Sequence, residues 1–281
     1  MHPNDTKECF ASHMGFWFCE PQCLSDTVGL VQSGLYPEAR VKNSLTQGEP
    51  LSVSDGIAYI PIKGMMMKGH SKFGGTSTVH ARKLIREANS NKDIEGIALI
   101  IESGGGMVAG TQELGDTIRD SSKPVYAFIE DLCGSAAYWA ASQAKKIYCN
   151  SMAQVGSIGT VAVVSDTSEK AEREGVKVHV VSTGDHKGAM AAGTPITDDM
   201  LADLQERIDY MFTAFRGAVI EARPQIKIDE AGDGRVFPAT KAIELGLVDV
   251  IIDQDSFVSQ IKNDAIIYKE REQVLARLSK R

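Results

Sequence analysis

The sequence predicts an α/β domain with a mostly parallel sheet and right-handed crossovers, and three observations predict it. "IEGIALIIES" is a continuous apolar run of the kind that forms a strand buried on both faces. Such runs alternate along the chain with segments of helical periodicity. Glycine or other small residues stand where a strand gives way to a helix, where ligand sites of parallel sheets lie.

The elements come in order along the chain. Residues 1–50 read as an arm and linker, with a helix expected from Ser25 or Asp26 and "YPEARVKNSLTQGEPLS" as linker. From Gly56 the pattern turns β-rich in "GIAYIPIKG". "TSTVHARKLIREANSN" then has helical spacing through Val79, Leu84, Ile85 and Ala88. After the apolar run come Gly104-Gly105-Gly106, an amphipathic helix, the strand "KPVYAFIED" and a helix opening near Ser135. Strands are expected in "KKIYCN", "GTVAVVS" and "VKVHVVS", with a helix near residues 167–174. Residues 197–223 read as one long helix, N-capped by Thr197 with Asp198 and Asp199 beside the cap. Leu201, Leu204, Ile208, Met211, Phe212, Phe215 and Val219 give it an apolar stripe. "PATKAIELGLVDVIID" reads as a short helix, a stop at Gly246 and a final strand. The expected division is an arm and linker over 1–50, the α/β domain over 51–253 and a charged helical tail over 254–281. The tail reads as solvated or as an oligomer contact.

Composition narrows the function. The formal charge of −7 argues against a nucleic-acid binder held by phosphate contacts. No window approaches the roughly 20 apolar residues that a membrane span needs. The N-terminus lacks the basic-then-apolar order of a secretory signal, and the expected location is the cytoplasm. Five cysteines, an odd number, fit a reduced compartment. Cys19 and Cys23 are close, but no second pair completes a zinc site, so neither metal nor cofactor is expected.

Three segments could carry chemistry. Gly104-Gly105-Gly106 admit a phosphate cradle, an oxyanion hole or a tight turn, and the Walker and GxGxxG spacings are missing. Ser135 lies between small residues at a helix start, where it reads as an N-cap or as a nucleophile beside free N–H groups. A serine nucleophile needs a base. No histidine comes with an acidic orienter, whereas Lys187 lies in the small-residue loop "STGDHKGAMAAGTP". A lysine serves as base when burial favours its neutral form; otherwise a loop lysine is a solvated charge.

Together these segments resemble the signal peptide peptidase A family, serine peptidases with a Ser–Lys dyad. The family's D-S-P-G-G turn matches Glu102 to Gly106, and its A-S-G-G-Y-Y segment matches Gly134 to Trp139. Its G-S-I-G loop is intact at Gly156 to Gly159, and its S-G-x-x-K-D segment matches Ser182 to Gly188. The D-G-R-V and E-L-G-L-V-D signatures stand at Asp233 to Val236 and Glu244 to Asp249. The resemblance covers roughly residues 55–253. It implies a fold similar to the Clp protease and the crotonases, Ser135 as nucleophile and Lys187 as general base. It further implies oxyanion donors at Ala136 and at Gly105 or Gly106, with Ser157 orienting the lysine. Glu102, Gly104, Ala136 and Ala137 depart from the family pattern without removing a dyad member.

The aromatic segment "GFWFCEP", the short helix expected after it and then "DGIAYIPIKGMM" resemble the phage-encoded branch, capsid assembly or head maturation proteases. That resemblance implies scaffold or portal-associated proteins as substrates, a homo-oligomeric ring or dome, and a place in the host cytoplasm or prohead. The other readings are a bacterial peptidase of leader peptides, a crotonase-like acyl-CoA binder, and a non-catalytic structural component.

Overall fold

The structure, a computed structural model, describes residues 17–19, 51–70, 75–184 and 186–278. Strand β1 is Trp17–Cys19, and β2 (Ser52–Ser54) and β3 (Ile57–Lys63) form an antiparallel hairpin. Then come β4 (Met66–Met67), β5 (Thr76–Ser77), α1 (Thr78–Ser90), β6 (Gly96–Ser103), β7 (Gly105–Met107) and α2 (Thr111–Arg119). Strand β8 (Val125–Gly134) leads into α3 (Ala136–Ser142), β9 (Lys146–Cys149) and β10 (Gln154–Gly156). Helices α4 (Ser168–Arg173), α5 (Asp198–Ala222) and α6 (Ile228–Ala231) precede β11 (Val236–Pro238), α7 (Ala239–Glu244), β12 (Val250–Ile251) and α8 (Gln254–Leu278).

Among the described residues the main sheet runs β11-β10-β8-β6-β3-β2, with β9 beside β8 and β12 beside β9. The β3–β6, β6–β8, β8–β9 and β8–β10 ladders are parallel, as alternating strands and helices require. A smaller sheet runs β1-β7-β4-β5.

The apolar run of β6 is buried on both faces, only Glu102 being exposed. On one face Ile97, Leu99 and Ile101 join Leu84, Ile85, Leu114, Ile118 and the alanines of α3 in one core. Trp139 of α3 stacks on Phe215 of α5, with ring centroids 5.0 Å apart. On the other face Ala98, Ile100, Tyr126 and Phe128 meet Phe257, Ile261 and Ala265. Those three are spaced four apart on α8, so one stripe of the charged C-terminal segment seals the second face of the sheet. Burying the Phe257 ring alone is worth about 1.5–3 kcal/mol. The segment read from sequence as a tail is thus part of the core over its first three turns.

The α5 stripe is buried at Phe215 and Val219, while Leu201 is exposed, so the helix projects its N-terminal half from the core. Thr197 caps it as expected, accepting the N–H of Met200 at 3.3 Å. The strands expected in "GTVAVVS" and "VKVHVVS" do not form. Val163, Val176, Val178, Val180 and Val181 are exposed, Val181 at 97%. A β-prone run becomes a strand only where a ladder partner lies beside it, and apart from a single bridge at Val161 no strand among the described residues pairs with these segments. The helix expected from Ser25 or Asp26 lies outside the described residues.

Candidate active site

The site begins at an irregularity in the β6–β8 ladder. Ile101 pairs with Ile129 and Ser103 with Cys133, so two steps along β6 match four along β8. Such bulges re-aim the chain beyond them. The bulge brings the end of β8 against the glycine turn: a Cβ built on Gly134 would stand 3.3 Å from the Gly104 carbonyl oxygen. A side chain at Gly134, the residue before Ser135, would make the glycine turn give by a few tenths of an ångström.

Ser135 has φ 53° and ψ −117°. An N-cap residue normally has extended backbone angles and a side chain accepting an N–H of the first turn. Ser135 has neither, and its hydroxyl makes no capping bond. A non-glycine residue in so sparsely populated a region costs about 1–3 kcal/mol and persists only where its surroundings fix it. Here its N–H donates to Gly156 at 2.9 Å, and its carbonyl accepts Trp139 N–H at 2.9 Å. Its Oγ donates to the Gly159 carbonyl at 3.4 Å, the long limit of a hydrogen bond. Ser135 is 1% exposed. The Ala136 N–H that comes next opens α3, where a helix has no acceptor of its own to offer.

Ser157 is the second strained serine, at φ 52°. Its N–H donates to Arg235 at 2.7 Å, and Gly156 pairs with Val236. The strand carrying the D-G-R-V signature thereby pins the turn that receives Ser135. A cavity of about 430 Å³ opens there, lined by Ser157, Gly159, Val161, Ile208 and Phe212 among others.

The glycine turn is held from inside. Ser103 Oγ donates to Gly64 at 2.5 Å and accepts Gly105 N–H at 3.1 Å. Gly105 has φ 99°, and a Cβ on Gly106 would collide with the Met66 carbonyl. Gly105 N–H is therefore engaged, while Gly106 lies between Phe18 on one side and Met66 on the other. Ser103 stood inside the matched motif without a role. The available signal was a serine two residues before a glycine N–H, the spacing of a local side-chain-to-backbone turn.

Lys187 is exposed and lies in a turn, where its N–H donates to Gly184. Among the described residues no side-chain hydrogen bond joins it to Ser135 or Ser157. The structure brings together Ser135, Ala136, Gly105, Gly106 and Ser157, but not Lys187. Lys63 lies nearer the glycine turn in strand register, opposite Glu102. Its ammonium contacts Glu130 at 2.6 Å and Glu102 at 3.6 Å. Burial disfavours its charge, yet the hydrogen bond and charge of Glu130, then Glu102, outweigh burial and raise its pKa. Lys63 is thus a locked cation and a poor base. Among the described residues no group of three or more His, Cys, Asp or Glu could hold a metal ion. None of their helices is long and apolar enough to cross a membrane.

The model of peptidase family S49 matches residues 117–267, just over half of the 281 residues. The chain belongs to peptidase family S49. The match takes in Ser135, Ser157 and Lys187 of this S49 chain but not the glycine turn. The S49 chain is 28% identical over 237 residues to the capsid assembly protease C of Escherichia phage lambda, covering 80% of this chain and 53% of that protein. It is 26% identical over 249 residues to the head-tail preconnector protein GP5 of Enterobacteria phage P21, covering 86% and 48%. It thus spans about half the length of these two relatives. Among solved structures it is similar to a mutant ClpP1 from Listeria monocytogenes, at 14% identity and TM-score 0.45, covering 70% of this chain and 92% of that one.

Proposed function

We propose that this chain is a serine endopeptidase working through an acyl-enzyme, with Ser135 as nucleophile and Lys187 as general base. The observation that carries the reading is the backbone of Ser135: strained, buried and with its hydroxyl withheld from capping. Strain of that kind concentrates at functional sites. Ser135 Oγ attacks the substrate carbonyl, Ala136 N–H and Gly106 N–H receive the oxyanion, and the amine of Lys187 takes the hydroxyl proton. That proton passes to the leaving amine, and Lys187 then activates the water that hydrolyses the ester. Ser157 orients the lysine.

Lys187 reaches Ser135 from an adjacent subunit of a ring or dome. Its exposed position and the unpaired valine-rich segment before it support this. The substrates we propose are phage scaffold or head proteins, in keeping with the name of the lambda relative.

Labelling with a fluorophosphonate probe tests the chemistry. The reading expects labelling that Ser135→Ala and Lys187→Ala both abolish, and labelling indifferent to either change overturns the dyad. Mass spectrometry of neighbouring head proteins incubated with the enzyme tests the substrate. Intact scaffold beside degraded leader peptides rejects the capsid role.

A further inference from the structure

We infer that the outer edge of β7 is a docking edge for extended polypeptide, and that Trp17–Cys19 is its resident occupant, an internal competitor carried by the N-terminal arm. The inference rests on the peptidase reading of the site.

Strand β7 has two edges. One belongs to β4, where Met66 pairs with Gly106. The other is taken by β1, antiparallel, in the register Trp17 to Met107, Phe18 to Gly106 and Cys19 to Gly105. Strand β1 is the last of its sheet. Two of the three β7 residues are glycine, so no side chain screens that backbone from a chain laid along it. A sheet edge of this kind takes a peptide by main-chain hydrogen bonds, largely whatever its sequence.

The edge lies where a peptidase needs its substrate. Gly104, immediately before β7, packs against Gly134, immediately before Ser135. Helix α3, which Ser135 introduces, packs on β7. An extended chain lying on β7 therefore runs past the nucleophile, and Gly106, the glycine proposed to polarise its carbonyl, is one of the residues it pairs with. One edge holds one strand. While β1 is seated, a substrate cannot be. The occupant is three residues long and comes from the N-terminal arm.

The test uses the full-length chain carrying Ser135→Ala, so that binding is read without cleavage. Fluorescein-labelled β-casein, an unfolded polypeptide, is titrated and followed by anisotropy, with and without the double change Phe18→Pro/Cys19→Pro. Successive N–H groups of a strand face opposite edges, so one of the two prolines must remove a donor facing β7. If the strap holds the edge nine-tenths of the time, its loss tightens casein binding about tenfold. A synthetic peptide of residues 12–24, added to the proline variant, then weakens casein binding again. Hydrogen exchange at Gly106 and Met107 supplies the control for displacement. Casein affinity unchanged by the prolines overturns the inference whether or not exchange quickens. So does a peptide that fails to compete. Failure of the peptidase reading shows separately, as absent fluorophosphonate labelling of the wild-type chain.

Discussion

Ser103 accepts the N–H of Gly105 at 3.1 Å through the same hydroxyl that it donates to the Gly64 carbonyl at 2.5 Å. One buried side chain thus ties the end of β3 to the turn that opens β7. Gly104 stands where the family pattern has proline, so this turn is restrained by a hydrogen bond instead of a ring. Ser103→Ala leaves two backbone groups short of a partner, at about 1–3 kcal/mol of stability. It should also lower kcat at least about tenfold with little change in KM, the signature of a misplaced oxyanion donor. Ser103→Thr keeps the hydroxyl and should recover much of the loss. Equal damage from Ala and Thr would mean that Ser103 only fills space.

The backbone of Ser135 makes an unusual stability prediction. Glycine normally destabilises relative to alanine because it gives up more freedom on folding. At φ 53° and ψ −117° the order reverses, since only alanine carries the strain of a Cβ there. Both Ser135→Gly and Ser135→Ala should be inactive. In thermal melts Ser135→Gly should be the more stable by roughly 1 kcal/mol. An alanine variant as stable as the glycine one would show the turn to be relaxed.

The parts of this molecule that were legible in the sequence are those fixed locally. The run from Ile94 to Ser103 carries the mark of a doubly buried strand, and Thr197 followed by two aspartates that of a helix start. Ser135 was visible as a candidate, but composition does not encode a φ angle. What sets Ser135 apart from an ordinary cap is a backbone conformation held by a hydrogen bond to Gly156, in a strand about 20 residues downstream. The C-terminal helix misled because its charges outnumber Phe257, Ile261 and Ala265, while only spacing reveals that those three share a face. The segments "GTVAVVS" and "VKVHVVS" carry true β propensity, but propensity is realised only beside a partner edge. Lys187 belongs to that same unpaired region, so neither its spacing in the sequence nor its place in a single chain fixes what it faces.

Subunit exchange tests whether Lys187 acts across an interface. Ser135→Ala lacks the nucleophile and Lys187→Ala lacks the base, and each should be inactive alone. Co-assembled in equal amounts, they should regain about a quarter of wild-type activity, because one site in about four pairs an intact serine with an intact neighbouring lysine. A dyad closed within one chain gives no recovery. Peptide hydrolysis by the mixed assembly, after exchange is verified by native mass spectrometry, separates the two.

Asp249 closes the family's E-L-G-L-V-D signature and works in the scaffold of the sheet. Its carboxylate accepts Arg223 Nη2 at 2.6 Å and Nη1 at 2.9 Å, a bidentate pair. It accepts the Ile147 N–H at 2.7 Å as well. Arg223 is 4% exposed and ends α5, so the pair fastens that helix to the edge formed by β9 and β12. Tyr138, on α3 just after Ser135, donates its hydroxyl to Leu247, two residues before Asp249. Asp249→Ala therefore strands a buried guanidinium, which costs about 3–5 kcal/mol. Replacing both partners, as in Arg223→Met/Asp249→Leu, removes the charges together and should cost clearly less than Asp249→Ala alone. Urea unfolding of the wild-type chain, Asp249→Ala and the double variant, with Arg223→Met and Asp249→Leu beside them, reads the difference. A double variant as unstable as the sum of its single changes would mean that the pair contributes by packing rather than by charge.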